Sequence, residues 1–165
     1  MTEYYKKIDW PTVPLDLEQE LIEYAATATP IVYPGKPPEE YINRIKTYIE
    51  THKVIPSYGH YEGPDSLKKW VRENIPIPET FHIKLQQFSN FIYVPIHVDH
   101  VRLFSYNYLF FESKAVTGWF DKDDNLLESV CYEHRKWYKH NSAIPHNVTN
   151  IHEKRIAITL FEQTS

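Results

Sequence analysis

Residues 81–112, FHIKLQQFSNFIYVPIHVDHVRLFSYNYLFFE, decide the fold. They are dense in β-branched and aromatic residues, which fit a pleated, half-buried surface, and no helical period runs through them. The texture continues in VTGWFD (116–121), LESVCYEHRKWYKH (127–140), SAIPHNV (142–148) and RIAITLFE (155–162). Polar, turn-like clusters at Asp121–Asn125 and Asn150–Lys154 separate the segments. Six or more short strands at near-regular intervals, with no helical pattern between them, predict an antiparallel sandwich or jelly roll.

Outward from this stretch, toward the N-terminus, the pattern is helical. Asp16–Ala26 places Leu17, Leu21 and Tyr24 on one face. Pro37-Pro38 followed by Glu39-Glu40 is a helix start, with Tyr41, Ile42, Ile45 and Ile49 as its apolar stripe. Residues 51–64 read as an aromatic loop, after which Asp65 or Ser66 is placed to cap a helix carrying Leu67, Trp70 and Val71. Ile75-Pro76-Ile77-Pro78 ends it, because proline cannot continue a helix. Residues 1–80 are thus expected to be helical and loop support, buttressing one outer face of a jelly-roll core in residues 81–165. At 165 residues the chain has the length of one domain.

Composition narrows the chemistry. Four glycines cannot build a glycine-rich phosphate cradle, and a single cysteine, Cys131, excludes an intramolecular disulfide and a Cys-rich zinc module. A metal would have to be held through His, Asp and Glu. Lys+Arg 18 against Asp+Glu 22 gives a net charge of −4, which argues against a nucleic-acid partner. With no signal-like or membrane-spanning apolar run, the expected location is the cytoplasm, with no membrane partner.

Among the nine histidines, His97 stands out, because His97-Val98-Asp99 on an extended strand sends both side chains to one face. That pair supplies two of the three ligands of a 2-His-1-carboxylate triad. Alone it is a weak signal, and His60-Tyr61-Glu62 repeats it in the predicted loop. His146 in SAIPHNV offers a third ligand, and Arg155 opens the next strand with a planar fork suited to a carboxylate. His100 should point away from the pair, and His134, His140 and His152 sit among charged residues and read as solvated. Tyr58, Tyr61 and Trp119 are candidates for a substrate mouth.

The string His97-x-Asp99, Arg102, Asn107, Trp119-Phe120-Asp121, Pro145-His146-Asn147-Val148-x-Asn150 and Arg155-Ile156-Ala157-Ile158 resembles the Fe(II)/2-oxoglutarate-dependent dioxygenases. It is most similar to their aspartyl/asparaginyl β-hydroxylase-like branch, over about residues 84–161. The resemblance implies a double-stranded β-helix, with His97, Asp99 and His146 as iron ligands. It implies Arg155 on the distal carboxylate of 2-oxoglutarate, with Arg102 and Asn107 facing the co-substrate or the strand scaffold. The implied reaction consumes O₂ and hydroxylates an amino-acid side chain, free or in a peptide or protein, with succinate and CO₂ as co-products. One departure matters: many members carry a serine two residues after the clamp arginine, and here that residue is Ala157. Either another donor, Gln86 or Tyr93, is then expected to help, or the clamp rests on Arg155 alone. Two other classes fit the same strands: a non-catalytic jelly-roll binding or structural protein, and a cupin-type metalloenzyme that does not use 2-oxoglutarate.

Overall fold

The computed structural model describes residues 1–31, 38–55, 57–89, 93–152 and 154–164. Pro37, residues 90–92 and residue 153, all within segments interpreted above, lie outside these. Among the described residues, ten strands form two antiparallel sheets. In chain order the strands are β1 (Tyr5–Ile8), β2 (Ser57–Glu62), β3 (His82–Ser89), β4 (Val94–His97), β5 (Phe104–Leu109), β6 (Val116–Phe120), β7 (Leu126–Cys131), β8 (Trp137–Asn141), β9 (His146–Thr149) and β10 (Arg155–Phe161). The larger sheet has the order β1-β8-β5-β10-β3-β2, and the smaller β4-β9-β6-β7.

Alternation along the central strand sorts the interior from the support layer. On β10, Ile156, Ile158 and Leu160 join Ile83 and Leu85 of β3, Tyr108 of β5 and Trp137 of β8 in one apolar cluster. Helices α1 (Leu15–Thr27) and α3 (Asp65–Asn74) complete that cluster with Leu17, Leu21, Leu67 and Val71. These two helices therefore buttress the larger sheet, as the amphipathic patterns predict. The intervening β10 residues Arg155, Ala157 and Thr159 face the other way, between the sheets. Leu160 is fully buried. Replacing it by alanine is expected to cost about 2–5 kcal/mol, lowering Tm by roughly 5–15 °C in a melting experiment.

The N-terminal half differs from its sequence reading in three respects. First, β1 and β2 are edge strands of the larger sheet, so residues 51–64 are not simply a loop: Tyr58 pairs with Phe88 and His60 with Gln86. Second, α2 (Glu39–His52) is not part of the buttress. It packs on β4 of the smaller sheet, with Ile45 against the Val94 cluster. Its fully buried residue is Tyr48, outside the predicted stripe. Third, Pro64 precedes α3 and no side chain caps it; the Ser66 hydroxyl donates to Glu20 instead, at 2.5 Å. LESVCYEHRKWYKH also splits into β7 and β8, because Arg135 adopts φ 56° at a turn. Among the described residues, no helix is long and apolar enough to cross a membrane.

Candidate active site

Pairing in the smaller sheet builds the metal-binding candidate. β4 and β9 set His97 directly opposite His146, with their ring centroids 4.4 Å apart. β4 ends at His97, so Asp99 is not carried on the strand itself. Its backbone N–H instead donates to the Ser142 carbonyl at 3.2 Å, which pins it beside both rings. One ligand atom from each of His97, Asp99 and His146 lies within 4.8 Å of the others.

The second ring nitrogens fix the tautomers. Nδ1 of His97 lies 2.8 Å from the Pro95 carbonyl, and Nδ1 of His146 lies 2.8 Å from the Ile144 carbonyl. A carbonyl only accepts, so both Nδ1 atoms carry the hydrogen and both Nε2 lone pairs are free. Those Nε2 atoms stand 3.8 Å and 4.0 Å from the two Asp99 oxygens. Burial works against charge on Asp99, but the Arg102 guanidinium beside it outweighs that and holds the carboxyl well below its usual range. Two neutral imidazoles and a carboxylate are the deprotonated donors a divalent ion requires, and three protein ligands leave positions open.

Arg102 serves this cluster. Its Nε donates to Asp99 Oδ2 at 2.8 Å, and its guanidinium stacks 5.0 Å from the Phe161 ring. Asn107 faces the cavity from β5, where its amide donates to Ser105 Oγ at 3.0 Å. Asn107 Oδ1 is buried and has no hydrogen-bond partner among the described residues.

A cavity of about 630 Å³ separates the two sheets, with the His97, Asp99 and His146 cluster on one wall and Arg155 on the other. Tyr41 and Arg44 of α2 border it, and Arg44 reaches Asp124 of the β6–β7 turn at 3.0 Å. The side chain of Arg155, half-buried at the start of β10, has no hydrogen bond or ion pair among the described residues; its guanidinium lies 5.9 Å from the Phe88 ring. Burial disfavours its charge, and the nearby Tyr132 phenol favours it. A cation held in protein without a counter-charge is costly, and an arginine fork in that state is suited to pairing with an anion.

Two histidines missed by the sequence reading line this cavity. His140, expected to be solvated, is buried on β8; its ring centroid is 4.6 Å from that of His146, and its Nδ1 is 2.9 Å from the Tyr132 hydroxyl. His60, expected in a loop, is buried on β2 and stacks on Phe161 at 6.0 Å. The signal was available for His140 only as the alternation in WYKHN, which puts it on the face of Tyr138. His134 and His152 are exposed as expected, and His100 is exposed at the cavity edge.

Of the mouth candidates, Tyr58 lines the cavity, whereas Tyr61 belongs to the apolar core and Trp119 is fully buried. Gln86 lies opposite Ala157 and faces the cavity. Tyr93 packs against Tyr48 and His52 instead, with centroids at 4.8 and 5.5 Å.

Burial lowers His60 to about 3 and His146 to about 4, and lowers His140 well below its usual value. The unfolded chain binds protons at these rings below about pH 6.5, where the folded chain does not, so stability falls as pH drops from 6.5 toward 4. At pH 5, His60 and His146 each remove about 2 kcal/mol. The metal-free chain is expected to melt roughly 10 °C lower at pH 5 than at pH 7. An unchanged Tm across that range would contradict neutral burial.

Neither a protein-family profile nor a curated protein sequence matches the chain. Solved structures do. A prolyl-4-hydroxylase from Pseudomonas putida superposes with a TM-score of 0.52 and 14% identity, over 99% of this chain and 94% of that one. The chain is a jelly roll. An oxalate decarboxylase matches with a TM-score of 0.43 and 18% identity, over 64% of this chain; the chain spans about a quarter (26%) of that protein's length. IDO from Bacillus thuringiensis matches with a TM-score of 0.38 and 10% identity, over 93% of this chain and 97% of that one.

Proposed function

We propose that the protein is an Fe(II)- and 2-oxoglutarate-dependent dioxygenase that hydroxylates an amino-acid side chain, free or within a peptide or protein. The observation that carries this reading is Arg155, a cation with no counter-charge among the described residues, on the cavity wall opposite an open two-histidine, one-carboxylate cluster. The pair fits a ligand with a chelating end and a remote carboxylate. The motif string around His97, His146 and Arg155 is what favours the aspartyl/asparaginyl β-hydroxylase-like branch. A reducing compartment such as the cytoplasm, which keeps iron ferrous, suits the reading.

His97, Asp99 and His146 would hold the metal through Nε2, a carboxylate oxygen and Nε2. Fe(II) would supply the redox chemistry that couples conversion of 2-oxoglutarate and O₂ into succinate and CO₂ to insertion of one oxygen into a substrate C–H bond. Arg155 would orient the co-substrate by its far carboxylate. Arg102 keeps Asp99 ionised and in place. Phe88, Leu109 and Val148 give the cavity apolar walls that limit water.

Anaerobic addition of 2-oxoglutarate to the Fe(II)-loaded protein should give a weak visible charge-transfer band, and aerobic incubation should release succinate. Mass spectrometry of candidate amino acids and peptides should then find a one-oxygen gain. Metal binding without the band would favour a cupin-type metalloenzyme. Absence of both metal binding and turnover would favour a binding or structural role.

A further inference from the structure

Helix α2 is held unevenly along its length. Its second half is anchored, because Tyr48 is fully buried and Tyr93 packs on the rings of both Tyr48 and His52. Its first half, Glu39–Arg44, has no buried residue, and Glu39, Glu40 and Asn43 are exposed. Yet this half borders the cavity. Tyr41 lines it with its ring centroid 5.8 Å from that of His97, and Arg44 spans to Asp124 of the β6–β7 turn at 3.0 Å. Arg44 and Asp124 both line the cavity, so the pair they form crosses its rim.

We propose that the first half of α2 is a lid over the metal-binding candidate, latched by the Arg44–Asp124 ion pair. The ligand that the lid encloses rests on the dioxygenase reading; the latch rests on the pairing itself. The turn is the fixed side. The Asp121 carboxylate accepts from the backbone N–H of Asp123 and of Asn125 at 2.8 and 2.9 Å, so the turn keeps its shape without the Asp124 side chain. The helix is the moving side. Arg44 also pairs with Glu40 at 2.8 Å, in the favourable i,i+4 order, which keeps the guanidinium aimed when the latch is open. An ion pair this exposed biases an equilibrium only about 2- to 5-fold. That is too little to seal the cavity and enough to bias a lid that must open for each ligand to pass. Opening carries Tyr41 away from His97 and admits water; closing returns the ring and excludes it.

The test is Asp124→Asn, which removes the charge, suits the left-handed φ of 61° at this position and leaves the helix sequence intact. Spin labels on cysteines at the exposed Asn43 of α2 and Lys69 of α3, with Cys131 replaced by serine, report the lid in the metal-free protein. Pulsed distance measurements should show a displaced population that grows about 2- to 5-fold in Asp124→Asn and in Arg44→Gln. Glu40→Gln, which keeps the latch, should leave it unchanged. In anaerobic stopped-flow on the Fe(II)-loaded protein, association and dissociation of 2-oxoglutarate should both quicken by that factor in Asp124→Asn. The dissociation constant should hold, because a gate alters passage and not the site. Melting curves establish that each variant folds, and Arg44→Gln carries both measurements if Asp124→Asn does not. Unchanged distances, unchanged rates, or faster dissociation alone would overturn the lid while the dioxygenase reading stands. A wild-type protein that binds Fe(II) but not 2-oxoglutarate would overturn that reading. Release of Fe(II) to a chelator would then supply the rates, and the distances would still decide the latch.

Discussion

Replacing His146 by alanine is expected to abolish high-affinity Fe(II) binding and, with it, the 2-oxoglutarate-dependent band. Losing a group that merely orients a ligand costs about 10- to 100-fold in metal affinity or activity, and losing a ligand should exceed that. His146 is one of only two neutral nitrogen donors in the cluster, and Asp99 would be left with His97 and Arg102. A second readout separates metal loss from collapse. His146 resists protonation when folded, so the alanine variant without metal should lose less stability than wild type between pH 7 and 5. Calorimetric titration with Fe(II) and a pair of melting curves check both halves. Iron binding at wild-type strength would remove His146 from the ligand set.

Arg155→Ala should act on the other wall. Two charge-assisted hydrogen bonds to one carboxylate are worth about 3 kcal/mol or more, so KM for 2-oxoglutarate should rise roughly 100- to 1,000-fold. Iron affinity should not change, because Arg155 touches none of the three candidate ligands. Stability of the ligand-free protein should hold or improve, since the guanidinium has no counter-charge among the described residues to lose. Steady-state kinetics with varied 2-oxoglutarate and a thermal melt measure the two effects. An unchanged KM would detach Arg155 from the co-substrate and favour chemistry that does not use it.

How far the sequence reveals this depends on where each side chain finds its neighbours. RIAITLF declares itself, because alternate apolar residues need one buried face whatever the partner strands are. His97 and His146 lie on paired strands, as their segments suggest, but Asp99 lies past the end of β4 and is set beside the two rings by the Ser142 carbonyl, a partner distant in sequence. β1 and β2 are not legible. YKKI has two central lysines and SYGHYE contains a glycine, and both are strands only because a sheet edge formed elsewhere accepts their backbone. His140 and His60 are illegible for the same reason. Their burial comes from the opposed sheet and from Tyr132, Trp119 and Phe161, all distant in sequence or on another strand. Charged neighbours such as Arg135 and Lys136 describe a turn surface and say nothing of the strand that follows.

The place of β10 bears on how the protein comes into being. It runs between β5 and β3 in the middle of the larger sheet, yet it follows both of them in chain order. During synthesis, β3 and β5 must wait for it, with apolar faces open to chaperones and to one another, before the sheet can close. The strand that carries Arg155 is thus also the closing piece of assembly. A chain whose synthesis stalls before β10 would lack the sheet's centre and the strand that carries Arg155 together, and would be a substrate for quality control.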